Sequence, residues 1–225
     1  MKKTISVIIP CYNEQDRIEK TIRTSIAFLN DNGFEYEIML VNDGSKDATL
    51  TVIKRLKLKY KNINYVSYKK NNGKGFAVRQ GLLKSKHFTK VIIDADNSVA
   101  LTELYKLNWD WIQSTELIKG QRIQEVRQPL YRIFVGKCFK ALVWIFTGLY
   151  MDTQCPFTIL RLSQNFYLEL DIDGFAFDVE ILYIAKQYNM PINKIFVSYK
   201  NNPDSKVTFW KTLLMLKEIK KIKKK

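Results

Sequence analysis

Along the first hundred residues, short apolar runs alternate with stretches whose apolar positions recur at a helical period. Residues 4–10, Thr-Ile-Ser-Val-Ile-Ile-Pro, form a short β-branched apolar run, the pattern of a strand buried on both faces. Ile18, Ile22, Ile26 and Leu29 then recur at helical spacing up to Asn32-Gly33, which predicts a helix over 15–31 with a glycine stop. A second strand is expected over 37–41, followed by the turn Asn42-Asp43-Gly44-Ser45 and a helix through Leu50, Ile53 and Leu56. A strand over 63–68, a helix over 74–86 and a strand over 91–93 continue the alternation. Such alternation predicts an α/β fold built on a doubly wound, mainly parallel sheet flanked by helices. Ligands in these sheets bind beyond the carboxyl ends of the strands. The polar loops 12–14, 42–45, 71–75 and 94–97 each follow a strand and are therefore expected on one edge.

Beyond residue 100 the pattern loosens. A helix is expected over 101–112, a strand near 116–120, a long helix over 129–150, strands over 157–162 and 192–199, and a helix over 178–188. No linker or repeat interrupts the chain, so residues 1–205 read as one domain and 206–225 as a basic amphipathic tail. On a helical wheel, Arg132, Lys137, Lys140 and Thr147 share an arc with Gly136, opposite Phe134, Cys138, Ala141, Leu142, Ile145 and Phe146. Read by itself, that arrangement favours a helix packed on a core over one lying at a membrane interface. The tail repeats the theme, with Phe209-Trp210, Leu213, Leu214 and Leu216 ahead of its lysines. The uncharged stretch 141–151 is much shorter than the roughly 20 apolar residues of a membrane span, so no span is expected.

Composition adds one fact to this picture. Charged residues are 26% and apolar ones 46%, which excludes a disordered or collagen-like chain. However, 37 Lys and Arg against 22 Asp and Glu give a net charge of +15. Residues 217–225 hold six lysines and one glutamate, so +5 is local and +10 is spread over the body. The excess favours an anionic partner: a phosphorylated ligand, an acidic membrane surface or nucleic acid. The last lacks any helix-turn-helix, RRM or zinc motif to carry it. Cys11, Cys138 and Cys155 stand far apart without CxxC spacing, as suits a reducing cytoplasm.

Candidate chemistry lies in the loops. Asp94-Ala95-Asp96 offers two carboxylates to one hard cation, or else one helix cap and one solvated acid. Asn72-Gly73-Lys74-Gly75 opens a helix with small residues and a lysine, either a phosphate cradle or a plain turn. It is neither a Walker loop nor a GxGxxG run. Asp43 accepts hydrogen bonds from a nucleobase edge or from its own turn. His87 reads as a solvated histidine and Cys155 as a packed small residue.

Taken in order, Pro10-Cys11-Tyr12-Asn13-Glu14, Val41-Asn42-Asp43-Gly44-Ser45, Asn72-Gly73-Lys74-Gly75 and Asp94-Ala95-Asp96 resemble the inverting nucleotide-sugar glycosyltransferases of the GT-A fold. Gly120-Gln121-Arg122, Tyr131-Arg132, Asp152-Thr153-Gln154-Cys155, Phe177-Asp178-Val179-Glu180-Ile181-Leu182 and Ser205-Lys206 extend the resemblance to the dolichyl-phosphate glucosyltransferase and bacterial polyprenyl-phosphate glycosyltransferase branch. The chain departs from that pattern at Pro156, where the family usually has glycine. The resemblance implies that Pro10, Tyr12, Glu14, Asp43, Lys74 and Asp94 bind the nucleotide sugar, best guessed as uridine diphosphate glucose. It implies that Asp94 and Asp96 hold a divalent metal, Mg2+ or Mn2+, and that Arg122 and Arg132 bind the phosphate of a polyprenyl acceptor. Asp96 and Asp152 are the candidate catalytic residues, Asp152 as acceptor organiser, as base for a hydroxyl acceptor, or as a turn cap. The implied setting is peripheral, at the cytoplasmic face of an anionic membrane. A glycosyltransferase extending a glycan on a sugar hydroxyl is the alternative.

Overall fold

Period-two alternation within apolar strands turns every second side chain to each face, so a strand that is apolar throughout must be covered on both sides. The computed structural model, which describes residues 2–124, 130–200 and 209–222, shows how this is done. The elements run β1 (Lys3–Cys11), α1 (Ile18–Asp31), β2 (Phe34–Asp43), α2 (Thr49–Lys59), β3 (Ile63–Tyr68), α3 (Lys74–Lys84) and β4 (Lys90–Ile93). A 3₁₀ turn (Leu101–Lys106), α4 (Trp109–Gln113), β5 (Leu117–Gln124), α5 (Leu130–Thr147), β6 (Phe157–Leu160), α6 (Gln164–Leu168), α7 (Phe177–Gln187), β7 (Ile192–Tyr199) and α8 (Phe209–Ile222) follow. The strands form one sheet in the order β3-β2-β1-β4-β6-β5-β7. Only β6 runs against its neighbours, pairing antiparallel with both β4 and β5. In β1, Val7 and Ile9 enter the core on one face with α1 and α2, while Ile8 enters the core on the other with α3 and α7. Fully burying each such side chain is worth about 1.5–3 kcal/mol.

Three sequence expectations change. The helix over 101–112 divides, because Leu107 is extended and Asn108 caps α4, its side chain accepting from the Asp110 and Trp111 amides. The helix over 129–150 ends at Thr147. Its solvent face also differs from the wheel: Thr147 is buried, its hydroxyl donating to Val143 O, whereas Cys138, Ala141 and Ile145 are exposed beside Lys137, Lys140 and Trp144. On α8, Met215, Ile219 and Ile222 are buried in the same core as α7, which leaves Lys217, Lys220 and Lys221 outside. None of the described helices is long and apolar enough to cross a membrane.

Candidate active site

Parallel pairing puts the carboxyl ends of β1, β2, β3 and β4 on one edge. Reversal of β6 brings its start, Phe157, beside Ile93, so the run 152–156 reaches that edge too. The far ends of β5 and β7, with Arg122 and Tyr199, complete it.

The first two loops are stitched together by their own polar atoms. Asn13 N–H donates to Ser45 Oγ (3.0 Å), Lys46 N–H to Asn13 Oδ1 (2.8 Å) and Glu14 N–H to Thr49 Oγ1 (2.7 Å). Glu14 also pairs with Arg17 at 2.7 Å. Pro10 and Tyr12 lie half-buried beside this stitching. Asp43 is buried, and its two carboxylate oxygens accept from Asn72 N–H (2.9 Å) and Gly73 N–H (2.8 Å). Its visible task is to hold the loop that carries Lys74.

Lys74 Nζ stands 2.6 Å from Asp94 Oδ1 and over the Phe177 ring. Burial opposes the lysine's charge, but Asp94, Asp178 and Asp96 outweigh it and raise its pKa. Asp94 moves upward as well, through burial first and the Asp96 charge after it, with Lys74 pulling the other way. Asp96 Oδ1 accepts from Ser98 N–H at 2.9 Å. Among the described residues no three His, Cys, Asp or Glu side chains gather into a cage for a metal. Two carboxylates on one loop still fit a hard dication whose remaining ligands are phosphate oxygens and water. The upward shift of Asp94, set first by burial and then by the Asp96 charge, fits the same role, because a cation at the pair would stabilise both ionised carboxylates.

On the other side of the site, Arg122 grips Asp152 with a two-pronged fork, Nε to Oδ2 at 2.6 Å and Nη2 to Oδ1 at 2.8 Å. Gln121 Oε1 accepts from Asp152 N–H, which ties Gly120-Gln121-Arg122 to Asp152-Thr153-Gln154-Cys155. Burial would raise the Asp152 pKa, but the bonds and charge of Arg122 prevail and hold it below the ordinary carboxylate value. Arg122 also stacks on Tyr199, whose phenol is raised by burial and by Asp96 and Asp94. Burial pushes the Cys155 thiol up to about 12, so it is a packed group and not a nucleophile. The side chain of Arg132 and the pair Ser205-Lys206 lie outside the described residues. His87 sits at the opposite edge before β4, half-buried instead of solvated.

Sequence reading missed Lys119. Its fully buried ammonium donates to Cys155 O (2.7 Å), Thr158 Oγ1 (2.9 Å) and Asp178 Oδ1 (2.6 Å), using all three protons. Asp178 thereby becomes a fixed charge beneath Lys74 and Asp94. Removing one partner of such a pair strands a buried charge at a cost of about 3–5 kcal/mol.

A model of the family described as "Glycosyl transferase family 2" matches residues 6–130. Dolichyl-phosphate beta-glucosyltransferase of Homo sapiens is 30% identical over 240 aligned positions, spanning 96% of this chain and 74% of the relative. The protein of the same name from Dictyostelium discoideum is 32% identical, spanning 97% of this chain and 73% of the relative. Among solved structures, glucosyl-3-phosphoglycerate synthase from Mycobacterium tuberculosis, in complex with uridine diphosphate, superposes with a TM-score of 0.69 at 17% identity over 98% of this chain and 79% of its own. Mannosyl-3-phosphoglycerate synthase from Rubrobacter xylanophilus gives 0.71 at 14% identity, over 98% of this chain and 72% of its own. At these identities the two structures establish the shared GT-A architecture.

Proposed function

The chain belongs to glycosyl transferase family 2, and from that premise we propose that it transfers a hexose, glucose from uridine diphosphate glucose, to a polyprenyl phosphate with inversion. That it is a glycosyltransferase follows from the family itself. The acceptor assignment is carried by the fork between Arg122 and Asp152. A sugar hydroxyl needs a base to take its proton, and a general base works best with a pKa near the working pH. Asp152 is held the other way, below an ordinary carboxylate. A lipid phosphate arrives ionised and needs a cation instead of a base. Arg122 retains N–H groups beyond the two spent on Asp152 to meet it, with Arg132 as its expected companion. Relatives named for a dolichyl-phosphate acceptor support the same reading.

On the donor side, Pro10, Tyr12, Glu14 and Asp43 take the nucleoside. Each Asp43 oxygen keeps a second lone pair for a base edge while holding the 72–73 amides. Asp94 and Asp96 would hold a divalent ion, Mn2+ or Mg2+, together with the diphosphate. Such an ion, when bound, stabilises the charge that collects on the departing nucleoside diphosphate. Lys74 adds a fixed positive charge at the same place. The mixed basic and apolar face of α5 and the lysines of α8 suit peripheral docking on an anionic membrane, at its cytoplasmic face.

The full chain, Mn2+ and a panel of nucleotide sugars, offered either a short-chain polyprenyl phosphate or a free glycoside, test this directly. Glucosyl lipid phosphate should form from uridine diphosphate glucose, stop with chelator, and fall by about 10²-fold or more in Asp96→Ala at unchanged Tm. Turnover only on the free sugar hydroxyl overturns the acceptor, and chelator-resistant turnover overturns the metal role.

A further inference from the structure

Lys74 is placed by the start of α3, and that start is seated on a distant piece of chain. Gly75 N–H donates to Gly174 O (3.0 Å) and Phe76 N–H to Asp173 O (3.1 Å). The approach admits no side chain: a Cβ on Gly73 would come within 2.2 Å of Asp173 O, and one on Gly75 within 2.2 Å of Ile172 O. Residues 171–176 are therefore the platform for the donor loop. Arg79 grips this platform through Leu170 O and Asp173 Oδ1.

Two glutamates hold the platform itself. Glu180 of α7, fully buried, accepts from the Asp171 and Ile172 amides at 2.9 Å each. Glu218 of α8 accepts from Ala176 N–H at 3.0 Å and lies over Gly174, where an added Cβ would meet its Oε1 at 1.9 Å. Met215, Ile219 and Ile222 anchor α8 in the core on either side of Glu218. A continuous path thus runs from Glu218 through residues 173–176 to the Gly75 and Phe76 amides, and from there to Lys74 and Asp94.

We propose that Glu218 is a positioning residue for the donor-binding loop, and that the basic C-terminal helix is a structural part of the nucleotide-sugar site. The proposal rests on the donor reading given above. Without Glu218 the Ala176 amide loses its partner and the 174–176 end of the platform loosens against the start of α3, while Glu180 and Arg79 still hold residues 170–173.

Full-length Glu218→Ala and Glu218→Gln test it by two measurements. The first is amide hydrogen exchange, which needs no ligand. In Glu218→Ala the Gly75 and Phe76 amides should exchange about tenfold faster, the effect of roughly one lost hydrogen bond. Glu218→Gln, whose amide oxygen still accepts from Ala176 N–H, should restore most of the protection. The second is binding of uridine diphosphate with Mn2+, which should weaken about tenfold in Glu218→Ala while the acceptor KM stays put. Unchanged exchange at 75–76 despite a lowered Tm overturns the proposal, since Glu218 would then be a local staple. Faster exchange with wild-type nucleotide affinity overturns it too. Wild-type protein that fails to bind uridine diphosphate sinks the donor reading, and the proposal with it.

Discussion

The pairing of Arg122 with Asp152 carries the proposed acceptor reading, and it is testable one atom at a time. If Arg122 binds the acceptor phosphate as proposed, Arg122→Ala should raise the acceptor KM by about 10–100-fold, the worth of one charged hydrogen bond. Lysine at 122 should recover part of this, because it lacks the planar fork. Asp152→Asn leaves an oxygen for Arg122 and should change kcat less than tenfold, with no new limb in the pH–rate profile. Loss of a true general base typically costs 10²–10⁴-fold, so a kcat drop of that size in Asp152→Asn would return the hydroxyl acceptor. Both residues stand out in the sequence, but their contact across thirty positions does not. Lys119 was hidden for another reason: a lysine between Ile118 and Gly120 looks solvent-facing. The available signal was parity, since position 119 shares a strand face with buried Leu117.

At the scale of elements, the first four strands and the three helices between them were legible because β1, β2 and β4 carry apolar runs and α1 and α2 show a helical period. The later ones were not. Five residues, Gln164–Leu168, are too few to display a helical period, and nothing local announces that β6 runs backwards. The start of β4 carries a separate consequence. Lys90 Nζ is buried there, donating to Ser85 O, Ser85 Oγ and His87 O. Burial lowers its pKa from 10.5 to about 8 against the pull of Glu37. Between those two values the unfolded chain holds a proton that the folded chain has released, so this site makes the fold more stable as pH rises. Unfolding by urea from pH 7.5 to 9.5 should therefore show wild type gaining stability relative to Lys90→Met. Parallel profiles for the two proteins would refute the assignment.

For the molecule as a whole, the question is where the +15 charge acts. Helices α5 and α8 are neighbours, and the exposed side of α5 sets Trp144 (53% exposed) and Ile145 (64%) beside Lys137 and Lys140. Lys217 and Lys220 of α8 are exposed as well. Deleting residues 217–225 would be a poor test of this surface, because it also removes buried Ile219 and Ile222 and the Glu218 contact. Neutralising Lys137, Lys140, Lys217 and Lys220 to glutamine leaves the core intact. A lysine near an anionic leaflet is worth about 1 kcal/mol, so the four together should weaken partitioning onto acidic vesicles by about 10³-fold at low salt. Trp144→Ser should remove a smaller part that salt does not screen, because that part is apolar burial. Wild-type sedimentation of the quadruple variant with acidic vesicles would show that this surface is not the docking face. Tighter, salt-sensitive binding to DNA than to vesicles would instead give the charge to a nucleic acid.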